Sequence, residues 1–260
     1  MSITASIKRD FLEKLAKENK RADGRAFDEF RDIEIEVGLI SKAEGSAKVK
    51  IGNTQIIAGI KMDVGEPYPD TPNSGVMTTA AELIPMASPN FEAGPPREDA
   101  IELARVVDRG IRESEIIDVE KLCISPEEKV WIVFIDIHVL DYDGNLFDAA
   151  SLAALAALMT TTVPAERFEV GEDHSLPIKE PPISCTSIKF NDAIIMDPSL
   201  DEELIAEARL TVATDTEGNI RAMQKGLNGS FTVDEIKKVI KASVDNGKKI
   251  REKLYKSVGK

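Results

Sequence analysis

The sequence is poor in cysteine and histidine, which excludes several kinds of site. Its 260 residues hold two cysteines and two histidines. Cys123 and Cys185 are isolated among apolar or small residues, which predicts two buried thiols in a reducing compartment rather than a disulfide framework. No cysteine or histidine spacing suits a zinc ion, and His174 is alone in a predicted loop. The glycine patterns of Walker and dinucleotide-binding loops are missing too, so nothing predicts a cofactor.

Positive charge and long apolar runs are also scarce. The 33 Lys and Arg residues against 46 Asp and Glu residues give a net charge of -13. This balance argues against nucleic-acid binding by overall charge but leaves room for a local arginine cluster. No segment is long enough to cross a membrane, and the N-terminus lacks a signal-peptide core, so we expect a soluble, cytoplasmic protein.

Predicted strands and helices follow one another in two similar halves, which is typical of an α+β fold. The first half has strands over 32–40, 45–53, 54–64, 76–86 and 129–140, with helices over 5–18, 98–117 and 148–160. The second half has strands at "CTSIKF", "DAIIMD", "RLTVAT" and "IRAMQKG", and a helix from Thr232. The Pro- and Gly-rich segment 170–184 is the predicted linker between the halves.

Three local patterns give sharper predictions. Gly52-Asn53 between two strand-like runs predicts a tight hairpin turn. Thr232 followed by Glu235 is the sequence signature of a capping box. The run "KVWIVFIDIHVL" (129–140) is nearly all apolar, which predicts a strand in the middle of its sheet.

The helix "EDAIELARVVDRGIRES" (98–114) carries a stripe of arginines. Arg105, Arg109 and Arg112 have the spacing i, i+4, i+7, which aligns their guanidinium groups along one side. The opposite side is predicted to face the core with Ile101, Ala104, Val107 and Ile111.

Two interpretations of this stripe are open. Glu102 with Arg105, and Arg109 with Glu113, have the spacing of intrahelical ion pairs, each worth about 0.2–0.5 kcal/mol. Alternatively, the arginines form a row of phosphate-binding groups, a task for which guanidinium is better suited than ammonium.

The segment "VLDYDGNLFDAASLAALAALM" (139–159) predicts a strand, a turn and the N-terminus of a helix, an arrangement that favours bound anions. The turn, however, has Leu146 and Phe147 where a phosphate site needs a hydroxyl and a cation. Asp148 is predicted to be the N-cap, with its carboxylate on the free N–H groups of the helix. The protein's own charge would then occupy the anion position.

Two further candidates have simpler alternatives. Asp136 and His138 lie on one face of a strand and could form an acid–base pair, although the strand's apolar pattern favours a satisfied core histidine. The carboxylates of "DPSLDEELIAEARL" (197–210) could hold Mg²⁺ or could form an acidic surface loop.

Several motifs together resemble RNase PH-like proteins. They are "RADGRAFDEFR", "GSAKVKIGNTQIIAGIK", "ELARVVDRGIRES", "VLDYDGNLFDAASLAALAALM" and "LTVATDTEGNIRAMQKG", in order along the chain. The sequence is most similar to the non-catalytic RNase PH-like subunit of the archaeal exosome. The resemblance implies an N-terminal helix and extension (1–30), an RNase PH-like domain 1 (31–168) and a C-terminal domain (169–260), built from duplicated β-α-β elements.

The resemblance also implies a lost active site. Active members degrade RNA from its 3′ end with inorganic phosphate and carry Thr-Arg where this chain has Leu146 and Phe147. They have a late aspartate where this chain has Arg209. The chain has "VGEPYPDTP" (64–72) in place of an RNA-binding "GPRE" loop. These differences predict a catalytically silent subunit with a degenerate phosphate site at Leu146, Phe147 and Asp148.

The arginine stripe takes on a role from the same resemblance. Arg105 and Arg109 match positions that contact the RNA backbone, and Arg112 either joins them or serves an ion pair. The implied partners are a catalytic paralogue in a ring of six alternating subunits, cap proteins with RNA-binding domains, and RNA 3′ ends. The alternatives are an active phosphorolytic exoribonuclease, an assembly scaffold without RNA contact, or a small-molecule enzyme using His138 and Asp136.

Overall fold

The computed structural model describes residues 3–259, so residues 1 and 2 of the predicted extension and residue 260 of the predicted C-terminal domain lie outside the described residues. The strands are β1 (Ile33–Val37), β2 (Gly45–Ile51), β3 (Thr54–Gly65), β4 (Val76–Leu83), β5 (Cys123–Ser125), β6 (Lys129–Asp141), β7 (Thr162–Val163), β8 (His174–Ser175), β9 (Ile183–Phe190), β10 (Ala193–Met196), β11 (Ala208–Thr214) and β12 (Ile220–Gly226). The helices are α1 (Ile3–Lys17), α2 (Glu98–Glu113), α3 (Leu146–Met159), α4 (Leu200–Ile205) and α5 (Val233–Val258).

The first sheet has the strand order β1-β2-β3-β6-β4, and β5 also pairs with β6. Its pairs are antiparallel except β4 with β6, which is parallel. Strand β6 lies between β3 and β4, so the predicted central position is confirmed. Its alternate residues from Trp131 to Val139 are buried on one face, as expected of a strand covered by helices on that side.

The second sheet is antiparallel with the order β10-β9-β11-β12. Its β11–β12 hairpin turns at "DTEGN", as predicted. The predicted linker 170–184 contains β8, which pairs with β7. The mixed fold, with two main sheets and the small β7–β8 sheet, confirms the α+β prediction.

Helix α3 packs between the two sheets, against β2 and β3 on one side and β9 on the other. Residues 147–158 are all buried, and the alanine-rich sequence lets strands approach from every direction. Gly45 shows how close this packing is, because a Cβ there would lie 2.3 Å from the Thr161 hydroxyl oxygen. Helix α2 packs against β4, α3 and β12, and α5 against β9, β11 and β1.

Several local predictions are confirmed and two are wrong. The Gly52-Asn53 turn joins β2 to β3, and Thr232 and Glu235 form the capping box of α5. Helix α2 ends at Glu113, four residues earlier than predicted. Ile101 is not in the core but 49% exposed. The residues of α2 that are buried are Ala100, Leu103, Val106, Val107, Gly110 and Ile111.

The cysteines form no disulfide, and only one of the two is fully buried. Cys185 is buried, which raises the pKa of its thiol, whereas Cys123 is half-buried. Within residues 3–259, no helix has the length and apolarity needed to cross a membrane.

Candidate functional site

Helix α3 begins differently from the prediction. Asn145 has φ of 54° in the left-handed region and is the N-cap, so the helix starts at Leu146. Asparagine tolerates this conformation better than most residues. Asp148 is therefore the third residue of the helix, and the prediction that it is the N-cap is wrong.

The Asp148 carboxylate is buried and joins α3 to the second sheet. Thr186 of β9 donates to it from its backbone N–H at 2.8 Å and from its hydroxyl at 2.7 Å. The Asn145 side chain donates at 2.8 Å. Burial outweighs these hydrogen bonds and raises the pKa of Asp148 to about 7.

A different carboxylate lies at the N-terminus of α3. Glu203 of α4 accepts a hydrogen bond from the Asn145 backbone N–H at 2.8 Å and another from the Tyr142 hydroxyl at 2.7 Å. Burial raises the pKa of Glu203, opposed by these two hydrogen bonds. The anion position at this helix start is therefore occupied by Glu203, and not by Asp148 as predicted.

Two residues that the sequence analysis singled out, Phe147 and Arg209, contact each other. The Arg209 guanidinium lies over the Phe147 ring, 4.0 Å from its centroid, which is a cation–π contact. Arg209 Nη2 also lies 2.5 Å from Glu102 Oε1 of α2. These contacts connect β11, α3 and α2, and they fill the space beside the start of α3.

The three arginines of the predicted stripe on α2 differ in their side-chain contacts. Arg112 donates to both carboxylate oxygens of Asp108 at 3.0 Å and to the Met77 carbonyl at 3.1 Å. The hydrogen bonds to Asp108 raise the pKa of Arg112. Its geometry favours the ion-pair alternative, and its role in RNA binding stays a prediction.

Arg105 and Arg109 are exposed and close to no carboxylate among the described residues. The Glu102–Arg105 ion pair is not formed, because Glu102 binds Arg209 instead. The Arg109–Glu113 ion pair is also not formed among the described residues. Arg109 has a long hydrogen bond of 3.4 Å to the Gln224 amide oxygen on β12. Two guanidinium groups are therefore left to solvent on one side of α2.

Two open grooves meet at this arginine pair. One, of about 450 Å³, runs between α2 and β4 and is lined by Thr79, Ile101 and Ala104 as well as by the two arginines. The other, of about 370 Å³, runs between α2 and β12, where Gln224 lies. An extended polyanion in either groove could contact both guanidinium groups. Acids line the grooves as well, Asp108 and Glu113 in the first and Glu98 and Glu102 in the second.

The predicted pair of His138 and Asp136 is not formed. His138 Nδ1 lies 3.3 Å from Glu82 Oε2 on the neighbouring strand β4. The histidine is half-exposed and its partner is an ordinary cross-strand neighbour. The alternative of a core histidine is therefore wrong as well, because the His138 side chain is 41% exposed.

The carboxylates of 197–210 do not form the predicted acidic surface loop, because Asp197 and Glu202 are buried, although Asp201 and Glu207 are partly exposed. Asp197 is buried and holds Arg25 and Arg31, each at 2.8 Å. Burial would raise the pKa of Asp197, but the hydrogen bonds from Arg31 outweigh it and lower that pKa. Among the described residues there is no group of three or more histidine, cysteine or acidic side chains that could hold a metal ion.

Sequence reasoning missed the arginines that bind these acids. Arg21 is buried and donates to both oxygens of Glu202, at 2.9 and 2.7 Å, and to the Met196 carbonyl at 3.0 Å. The motif "RADGRAFDEFR" held the signal, because three arginines in a polar turn need acceptors. Its partners lie more than 160 residues later, and no local pattern points to them.

The comparisons with known proteins cover nearly the whole chain. The chain is 57% identical over 252 residues to "Exosome complex component Rrp42" of Methanocella arvoryzae, covering 97% of each. It is 54% identical over 254 residues to the protein of that name from Archaeoglobus fulgidus, again covering 97% of each.

Solved structures agree with these relatives. A chain of "archaeoglobus fulgidus exosome with RNA bound to the active site" has a TM-score of 0.95 and 52% identity, covering 97% of this chain and 100% of that one. A chain of "Archaeal exosome core" has a TM-score of 0.90 and 50% identity, covering 97% and 98%. Residues 29–164 match domain 1 and residues 180–246 match domain 2 of one family. The chain therefore belongs to the 3′ exoribonuclease family, whose fold is that of RNase PH.

Proposed function

We propose that this chain is a non-catalytic ring subunit of an archaeal RNA exosome, a 3′–5′ phosphorolytic exoribonuclease complex, and that it positions RNA for the active site of a catalytic paralogue. The observation that carries the proposal is the closed site at the start of α3 beside the unpaired Arg105 and Arg109 of α2. The relatives named as exosome components support the same assignment.

The closed site leaves no place for an attacking phosphate. An incoming anion at the start of α3 meets the Glu203 carboxylate, which already accepts from the Asn145 N–H. Phe147 offers bulk and no hydrogen-bond donor, and the Arg209 guanidinium is already engaged by that ring and by Glu102. Leu146 and Phe147 cannot hold phosphate as a hydroxyl and a cation do. The bond-breaking groups therefore come from the paralogue.

The open arginine pair supplies binding instead. Arg105 and Arg109 are one turn apart, about 6 Å along the helix axis, so both face the same strand of RNA. Guanidinium groups bind phosphate oxygens in bidentate fashion and hold the backbone without reading its sequence. Such contacts keep the 3′ end in place for chemistry elsewhere. An acidic subunit with two exposed arginines directs RNA to this helix and away from the rest of its surface.

The proposed assembly is a ring of six subunits in which this chain alternates with its catalytic paralogue. RNA-binding cap proteins are the further proposed partners of the ring. We place this RNA-degrading complex in the cytoplasm. The predicted domain division at residues 30/31 and 168/169 is part of the same proposal.

Reconstitution tests the assignment. Phosphorolysis of a single-stranded RNA is measured with this chain alone, with the paralogue alone and with the two together. We expect no activity from this chain alone and the highest activity from the pair. Robust phosphorolysis by this chain alone would overturn the non-catalytic role and favour the active-enzyme alternative.

Charge reversal tests the RNA contact. In the assembled ring, R105E/R109E should lower RNA affinity by about tenfold or more, because two phosphate contacts become repulsions. For R105A/R109A, the slope of log affinity against log salt should become shallower by about 1.4, or about 0.7 per lost contact. The matched control K237E/K238E makes the same change of charge on exposed positions of α5 and should have little effect. Equal RNA binding by wild type and R105E/R109E would instead support the scaffold alternative.

A further inference from the structure

We propose that Arg209 is a positioning residue that keeps Arg105 available for RNA by binding Glu102. This inference rests on the proposed function, since it concerns how the RNA-binding pair stays free. It gives a role to a position where the resemblance implies only a lost catalytic group.

Two arginines, Arg105 on α2 and Arg209 on β11, are possible partners for the Glu102 carboxylate. Glu102 and Arg105 are three residues apart, the spacing at which opposite charges on a helix pair with each other. In the structure Glu102 binds Arg209 instead, at 2.5 Å between Oε1 and Nη2. The Arg209 side chain is only 14% exposed, whereas the Glu102 side chain is 39% exposed and borders the groove with Arg105.

Phe147 fixes Arg209 for this task. The guanidinium lies 4.0 Å from the centroid of the buried Phe147 ring, so its plane is held while one edge faces Glu102. A planar group held on one face binds a carboxylate at a lower entropy cost than an exposed arginine does. Glu102 therefore has a better partner on β11 than on its own helix.

The acid on the other side of Arg105 is occupied in the same way. Asp108 is three residues after Arg105 and binds Arg112 through both of its oxygens. Both acids within one turn of Arg105 are thus held by other arginines. Arg109 meets a neutral amide, that of Gln224, and Glu113 is the remaining acid at ion-pair spacing from it.

Removing Arg209 changes the groove in two ways. The freed Glu102 carboxylate pairs with Arg105, and its uncompensated charge repels RNA phosphates. Removing the Glu102 charge as well cancels both effects.

The test compares three variants in the ring assembled with the paralogue. They are R209Q, E102Q/R209Q and E98Q/R209Q. The two double variants have the same net charge as wild type, but only the first removes the acid that Arg209 binds. Glu98 lies one turn before Glu102 on the exposed side of α2 and lines the same groove, which makes it the matched control. Binding of a fluorescent oligoadenylate is measured in phosphate-free buffer, so that no RNA is degraded.

We expect R209Q to bind RNA about threefold more weakly at low salt. E102Q/R209Q should return to near the wild-type affinity, and E98Q/R209Q should stay weak. The inference is overturned if R209Q binds as wild type does. Failure of E102Q to rescue would also overturn it, since Arg209 would then contact RNA itself or serve only the fold. R105A/R109A separates the two proposals: if it weakens RNA binding while R209Q does not, only the inference about Arg209 fails, and if it binds RNA normally, the proposed RNA contact fails as well.

Discussion

Two groups of arginines in this acidic chain have opposite surroundings. One group lies in the N-terminal segment and is buried or nearly so, with every member bound to a carboxylate of 197–202. Its members are Arg21, Arg25 and Arg31. The other group is Arg105 and Arg109 on α2, which are exposed and close to no carboxylate among the described residues. The first group joins the N-terminal segment to residues 197–202, and the second is the group for which we propose RNA binding.

The comparison teaches that spacing alone does not reveal what an arginine does. Both groups follow a periodic or clustered pattern, and both sit among acids of the same chain. What separates them is whether the nearby acids already have partners. Among the described residues, Glu202 and Asp197 form ion pairs only with the N-terminal arginines, whereas Glu102 is already bound by Arg209, which belongs to neither group.

The largest effect is expected from breaking the buried group. Arg21→Met leaves the buried Glu202 without its arginine partner, so that only the Ser199 N–H still donates to it, and it removes the hydrogen bond to the Met196 carbonyl, while a side chain of similar length fills the space. We expect a loss of about 3–5 kcal/mol in the free energy of unfolding, measured by urea denaturation. Arg97→Met is the control, because Arg97 pairs with Glu92 on the surface and should change that free energy by less than about 1 kcal/mol. Similar losses in both variants would mean that burial does not decide the role of these arginines.

The pKa values of two buried carboxylates, Asp197 and Asp148, show the same effect of an arginine partner and predict a pH dependence of stability. Hydrogen bonds from Arg31 lower the pKa of Asp197, whereas Asp148 binds no arginine among the described residues and burial raises its pKa to about 7. In the unfolded chain Asp148 ionises at about pH 3.9. Between about pH 4 and 7, Asp148 is therefore protonated in the folded state but ionised in the unfolded state. The contribution of Asp148 to the free energy of unfolding falls as pH rises through that range.

D148N removes that pH dependence. The substituted amide cannot ionise, but its oxygen can accept from the Thr186 N–H and its NH₂ group can donate to the Thr186 hydroxyl. We expect the free energy of unfolding of D148N minus that of wild type to rise with pH by up to about 1.4 kcal/mol per unit between about pH 4 and 7. Urea denaturation at several pH values measures the difference. A difference that does not change with pH would show that Asp148 is ionised throughout.

Much of the fold could be predicted because its signals are local. The Gly52-Asn53 turn, the Thr232 capping box and the apolar run of β6 each specify structure within a few residues, and the structure has all three. Ile101 was misplaced because hydrophobicity indicates the core only on average. In α2 the side that carries Ile101 borders an open groove, and the core contacts come from another side of the helix, which includes Ala100 and Leu103.

The candidate site could be predicted only in outline, because its decisive contacts are distant in sequence. The acid near the start of α3 predicted that one of the chain's own carboxylates occupies the anion position there. The carboxylate that does so is Glu203, which accepts from the N–H of Asn145, 58 residues earlier in the chain. The left-handed Asn145 shifted the N-cap by three residues and left Asp148 to bind β9 instead. Likewise, no spacing on α2 shows that Glu102 is taken by Arg209, 107 residues later.

The smallest effect on stability is expected from the open group. R105A/R109A removes two exposed side chains whose only hydrogen bond to a described side chain is the long one to Gln224. Alanine is also the best helix former, so the free energy of unfolding should change by less than about 0.5 kcal/mol. Urea denaturation of the double variant tests this, with Arg21→Met as the positive control in the same series. A loss of several kcal/mol would place Arg105 and Arg109 with the structural arginines, and a loss of RNA affinity in R105A/R109A could then be ascribed to the fold. An unchanged stability assigns that loss of affinity to the missing guanidinium groups.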